Sequence, residues 1–148
     1  MTISAQVGEV LPRLTHTVSA LQLFRYSAVT WNPHRIHFDA PYALEEGHVG
    51  VALHSHLRAA LALRCVTEGL GAGWRVTNVS YRLRRPVYAP VELNYTAQVT
   101  TATADSLTLE LIEEHPSGEV GFEGTVSVSK ITEANPRSEL TTTSGAAA

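Results

Sequence analysis

The sequence predicts an α+β fold in which one antiparallel sheet curls around one long buried helix. A helical segment that begins at His54 and contains HLRAALALRCVTEGL is the longest in the chain, and four runs of period-two alternation follow it. A helix that buries one stripe and a sheet that buries one face satisfy each other as packed layers. The other sheet face must meet water or a second subunit. At 148 residues the chain fits one such core, and no internal repeat or second domain is visible.

The elements follow in order. RLTHTVS alternates as a short strand, and Ser19 stands as N-cap for ALQLFRYSAV, whose Leu21, Phe24, Tyr26 and Ala28 are expected on the inward face. Asn32 and Pro33 break that helix, so TWNPHRIH is an ordered loop. Asp39 caps a second short helix with Pro41 early in it, running to Gly47. In the long helix Leu57, Leu61, Cys65 and Val66 define a buried stripe that Leu53 and Ala60 extend, and it stops at Gly69 to Gly73. The strands are VTNVSYRLRRPV, VELNYTAQVTTAT, SLTLELIEEH and EVGFEGTVSVSKI. Tyr88 to Pro90, Ala104 with Asp105, and Pro116 to Gly118 separate them. The domain is expected over residues 1–131, and residues 132–148, with little to bury, read as a disordered tail.

Composition excludes several classes. A net charge of -3 and a pI near 6.1 give no basic field for nucleic acid. No run approaches the ~20 apolar residues of a membrane span, and MTISAQVGEVLPRL lacks the form of a secretory signal. The single Cys65 has no internal disulfide partner, and the simplest reading is a soluble cytoplasmic protein.

Five of the seven histidines fall between His34 and His56. Metal binding by His34, His37, His54 and His56 with Asp39 is one reading, but the spacing lacks the helical i, i+4 geometry of a HExxH site and no Cys pair accompanies it. No metal is therefore expected. Acid/base chemistry fits better: a loop histidine steadied by an amide and a carboxylate, beside helix-end N–H groups at Ser55 to Leu57, is what proton abstraction next to a carbonyl needs.

YSAVTWNPHRIHFDAPYA, then EEGHVGVALHSHL, then YRLRRPVYAPVEL resemble the MaoC-like dehydratases of the hotdog fold. The branch of hydroxyacyl-thioester dehydratase type 2 and mesaconyl-CoA hydratase-like proteins is the most similar. The likeness spans roughly residues 10 to 131 and implies a single hotdog domain. In the wider family the pattern after the Thr is Gly-Asp-x-Asn-Pro-x-His-x-Asp, with its first Asp and its His as the catalytic pair. Counted from Thr30, His37 falls on the catalytic His, Asp39 on the final Asp, and Asn32 on the catalytic Asp. An amide is no proton acceptor, so the site is modified from the wider pattern. The similar branch carries Asn-x-His-x-Ile-His here, and His34 takes the position usually held by Asn.

The resemblance implies reversible syn elimination of water from a 3-hydroxyacyl thioester to the trans-2-enoyl thioester. His37 is the expected proton carrier, Asn32 holds the water or hydroxyl, His34 is a second candidate proton carrier, and Asp39 orients the loop. Ser55, where the family usually has Gly, supplies a backbone N–H for the thioester carbonyl, with His54 and His56 beside it. Trp31, with Tyr26 and Tyr42, either lines an acyl channel or packs the loop. Arg82 and Arg84, on one face of a strand, either meet the phosphates of coenzyme A or of a carrier phosphopantetheine, or form a solvated face. No cofactor is expected beyond the carrier of the substrate itself. A hotdog subunit leaves an edge strand exposed, so the expected partners are a second copy or a related hotdog subunit, which would form a homodimer or a heteromeric dehydratase. A thioesterase is the weaker alternative, because that chemistry usually needs a helix acid and Glu68 lies near the far end.

Overall fold

The computed structural model describes residues 6–131, so the expected tail over 132–148 lies outside the described residues. The elements are β1 (Leu14–Val18), α1 (Ala20–Val29), a 3-10 turn (Arg35–His37), α2 (Ala40–Glu45), α3 (Ser55–Leu70), β2 (Trp74–Leu83), β3 (Val91–Ala102), β4 (Ser106–Glu114) and β5 (Val120–Lys130). One five-stranded antiparallel sheet has the order β1-β3-β4-β5-β2. β3, β4 and β5 pair in sequence order as a meander within the expected antiparallel sheet. β2 does not pair with its successor β3 but crosses to the far edge against β5, because residues 84–90 leave the sheet to pair with the segment before α3.

The 16 residues of α3, about 24 Å long, lie across the sheet against β1 to β4. Leu57, Leu61, Ala62, Cys65 and Val66 meet Leu107, Leu109 and Leu111 of β4 and Val126 and Val128 of β5 in one core cluster. This is the hotdog arrangement, with the helix as filling. Ala60 is exposed instead of extending the buried stripe, and Arg58 is buried in its place. α1 also turns differently from the expectation: Leu21 and Phe24 are exposed and only Leu23 and Ser27 are buried. The helix lies at the rim of the core, so its inward stripe is narrow and follows Leu23 and Ser27, one turn apart.

Ser19 and Asp39 act as the two expected caps, their side chains accepting from Gln22 N–H at 3.2 Å and Tyr42 N–H at 3.2 Å. Among the described residues no helix is long and apolar enough to cross a membrane.

Leu109 is fully buried at the centre of the sheet. Leu109→Ala should lower the unfolding free energy by about 2–5 kcal/mol, read as a lower urea midpoint at unchanged slope.

Candidate active site

The site forms where α1 ends. Thr30 closes the helix with its N–H donating to Tyr26 O at 2.9 Å, and Trp31 then turns the chain in the left-handed region with φ 53°. A bulky residue is rarely held there, and such backbone strain concentrates at functional sites. The reversal lets Asn32 N–H donate to Ser27 O at 2.9 Å. The Asn32 Oδ1 accepts the His34 N–H at 3.2 Å, a bond that does not use the amide N–H groups.

Pro33 and His34 lead into the 3-10 turn that carries His37. Its Nδ1 lies 2.7 Å from the carbonyl of Ala52, an acceptor only, so Nδ1 carries the proton and Nε2 keeps its lone pair. The attachment is two-sided, since Ala52 N–H donates to Ile36 O at 2.9 Å. Beneath His37 lies His54, with ring centroids 3.8 Å apart and planes 19° from parallel. The His54 Nε2 is 2.8 Å from the Ser27 hydroxyl, and Tyr26 flanks its ring at 4.8 Å.

Burial pushes the His37 imidazole below the ordinary histidine value, and His34 and His48 add to the effect against the opposing Ala52 hydrogen bond. Burial, then His37 and His56, lowers His54 to about 4. Two parallel imidazoles cannot both be cationic at this separation without strong repulsion, so the stack favours neutral rings. His34 is exposed with its ring 6.0 Å from His37.

Other expected residues are placed as follows. Asp39 caps α2 and accepts from Arg35 Nε at 2.9 Å and Nη2 at 2.6 Å, and Arg35 holds its carboxyl below the usual carboxylate range. Its oxygens are thus committed to the loop. His54, expected beside the substrate carbonyl, is only 2% exposed and its ring lies under that of His37. It is also the N-cap of α3 without a side-chain cap bond, so Ser55, His56 and Leu57 present first-turn N–H groups uncapped by it. His56 joins Tyr26, Thr30 and Asn32 around a hollow of about 310 Å³. Trp31, 88% exposed, borders an apolar slot of about 190 Å³ with Phe24, Pro33 and Phe38. Asn32 stands at the rim of both hollows.

Tyr81 stacks on the buried Phe122, so the adjacent Arg82 points to the opposite sheet face, beside Glu110 and Glu123. Arg84 lies past the end of β2 and is ion-paired with Glu123. Within one subunit Arg82 therefore sits on the face turned away from α3, while Arg84 borders a hollow with Leu53 and Arg58. Glu68 is exposed and bonded to Arg64. Among the described residues no group of three His, Cys, Asp or Glu side chains is arranged to hold a metal ion.

Ser27 and the Ala52 carbonyl escaped sequence reasoning. A polar residue one turn from Leu23 on an otherwise apolar inward stripe was a signal for Ser27; a backbone carbonyl leaves none.

Fold and site together define a class: a hotdog domain with a lone-pair-bearing histidine beside the N-terminus of its central helix. Comparison narrows the class. The family model for hydroxyacyl-thioester dehydratase type 2 matches residues 5–89, and the chain belongs to that family. Mesaconyl-C(4)-CoA hydratase of Chloroflexus aurantiacus is 33% identical over 109 residues, covering 72% of this chain and 36% of that protein. The chain thus spans about a third of the length of that relative. The ChsH1-ChsH2 complex from Mycobacterium tuberculosis superposes with a TM-score of 0.79 at 23% identity, over 88% of this chain and 100% of that one. The (R)-hydratase from A. caviae involved in PHA biosynthesis also gives 0.79 at 23%, over 84% and 96%. These structures share the fold.

Since folding keeps both imidazoles neutral while the unfolded chain takes up protons near 6.5, stability is full above about pH 6.5 and falls as the pH drops toward about 4. Urea midpoints measured above and within this window should decrease on acidification; a flat profile would contradict neutral, buried imidazoles.

Proposed function

We propose that the chain catalyses reversible hydration of trans-2-enoyl thioesters to 3-hydroxyacyl thioesters, the acyl group being carried on coenzyme A or on a phosphopantetheine arm. The observation that carries this reading is the His37 to Ala52 hydrogen bond, which presents a neutral Nε2 beside the N-terminus of α3. In the hydration direction a water held by the Asn32 amide gives its proton to His37 Nε2 while its oxygen bonds to C3. The C2–C3 π electrons move toward the thioester, whose oxygen takes the developing charge beside the N–H groups of residues 55–57. His37 then returns the proton to C2 on the same face. In this reading the exposed His34 relays protons to solvent, and Asp39 holds the loop shape. The apolar slot beside Trp31 suits the acyl chain. The chemistry calls for no resident cofactor.

Partner subunits belong to the same reading. β2 is an edge strand whose Val79 and Leu83 are 37% and 38% exposed, and its far side offers unpaired backbone groups to a second copy or to a related hotdog subunit. A partner across that edge would complete the cleft and give Arg82 and Arg84 a role toward phosphates. A neutral, buried thiol at Cys65 is compatible with a cytoplasmic location.

Loss of the enoyl-thioester absorbance band after mixing with crotonyl-CoA, and with a longer 2-enoyl-CoA, tests the reaction. Wild type should hydrate at least one of them, and His37→Ala should be slower by about 10²- to 10⁴-fold. Equal rates in the two proteins would remove His37 from the mechanism, and no turnover even with a co-purified partner would remove the reaction.

A further inference from the structure

Among the described residues the buried polar side chains are Ser27, His54, Arg58 and Glu113. The first two support His37. The other pair has no part in the chemistry above, yet it is 2% and 0% exposed. Arg58 Nε lies 3.1 Å from each Glu113 carboxylate oxygen, and Nη2 donates to Oε1 at 2.6 Å. The Tyr95 hydroxyl donates to Glu113 Oε2 at 2.9 Å. The rest of the guanidinium serves backbone: Nη1 donates to Arg85 O at 2.9 Å and Nη2 to Gly121 O at 2.6 Å. Space is reserved for it, since a Cβ on Gly121 would lie 2.7 Å from Glu113 Oε1 and 2.9 Å from Arg58 Nη2.

A buried ion pair is a poor device for stability alone, because apolar residues of similar volume commonly fold as well or better. Its value lies in direction. Arg58 stands in the first turns of α3, three residues after Ser55. The carbonyl it grips at Arg85 begins the segment that runs along residues 51–53, with Leu53 N–H donating to Val87 O at 2.8 Å and Ala89 N–H to Val51 O at 3.0 Å. Between these bonds lies Ala52, whose carbonyl fixes His37. The pair therefore grips both structures that face the substrate, the helix end directly and the histidine through two backbone ladders.

We propose that the buried Arg58–Glu113 pair is a positioning device for the active site, holding the N-terminal turn of α3 and the Ala52 carbonyl at a fixed aim toward His37 and the substrate carbonyl. The catalytic part of this inference rests on the hydratase reading; the structural part does not. Arg58→Met/Glu113→Leu replaces the charges with apolar side chains of similar length, and Arg58→Lys keeps a charge but loses the fork that reaches two carbonyls and the carboxylate together.

The test pairs two readouts on the full chain. Imidazole ¹⁵N spectra, with His37 assigned by its loss in His37→Gln, report whether Nδ1 remains the protonated, hydrogen-bonded nitrogen. Steady-state hydration of a 2-enoyl-CoA reports kcat and KM. In variants that still melt cooperatively, the His37 tautomer signal should shift toward a mixture and kcat should fall about 10- to 100-fold with KM within about twofold, as expected for misplacement of groups that act in the transition state. A cooperatively folded variant with an unchanged tautomer signal would overturn the proposal, as would an unchanged kcat in an active protein. Should the double variant not fold, Arg58→Lys decides by the same criteria. Should wild type show no hydration, the tautomer readout alone decides, and it is the functional reading that fails.

Discussion

The site depends on a three-residue strip of extended backbone, Val51 to Leu53, that is bonded on both sides. One side meets Ile36 and His37, and the other meets Val87 and Ala89. The strip is buried and runs directly into the N-cap of α3. A buried backbone that left its N–H and C=O groups unpaired would be costly, so the pairing is a requirement of burial and the positioned histidine is its consequence. The loop that carries His37 is thereby as fixed as a strand, although only three of its residues form a 3-10 turn.

The electrostatics of the site follow from the same burial. A histidine in water spends part of its time protonated near neutral pH, and a proton acceptor cannot. Here the stack on His54 removes water from one face of His37, while the Ala52 carbonyl accounts for its only ring proton. His54 in turn is kept neutral by its burial at 2% exposure, with His37 and His56 adding to the effect, and Ser27 answers one of its nitrogens. The charged residues of the loop are kept apart from this pair: Arg35 and Asp39 neutralise one another, with the guanidinium 4.3 Å above the Tyr42 ring.

The layer architecture was legible because it rests on periodicity. Leu107, Leu109 and Leu111 alternate, Leu57, Leu61 and Cys65 recur at helical spacing, and both patterns survive folding unchanged. The amphipathic face of α1 was misread because a rim helix buries two residues, too few for a pattern to outweigh exposed Leu21 and Phe24. The crossover of β2 to the far edge was hidden as well, since neighbours in sequence usually pair and only the tertiary use of residues 84–90 forbids it. Glu113 continues the inward register of Leu107 to Leu111 and Arg58 falls on the buried side of α3, and neither residue was singled out from the sequence. Such a pair is visible in sequence only as two separate violations.

The amide at position 32 then has a physical sense. A carboxylate there would be a fixed negative charge near His37 and would favour the imidazolium, opposing the effect of burial. Asn32 instead uses its oxygen on the His34 N–H and carries no charge, and in the proposed reaction its amide N–H groups would hold the oxygen of water or hydroxyl. In the proposed reaction, with an amide at position 32, proton transfer would concentrate on one neutral histidine, and the energetic demand would shift to the alignment of that histidine with the water and with the end of α3. A site built on alignment tolerates little motion. That is consistent with a backbone strip locked on both sides and with buried polar groups gathered around it.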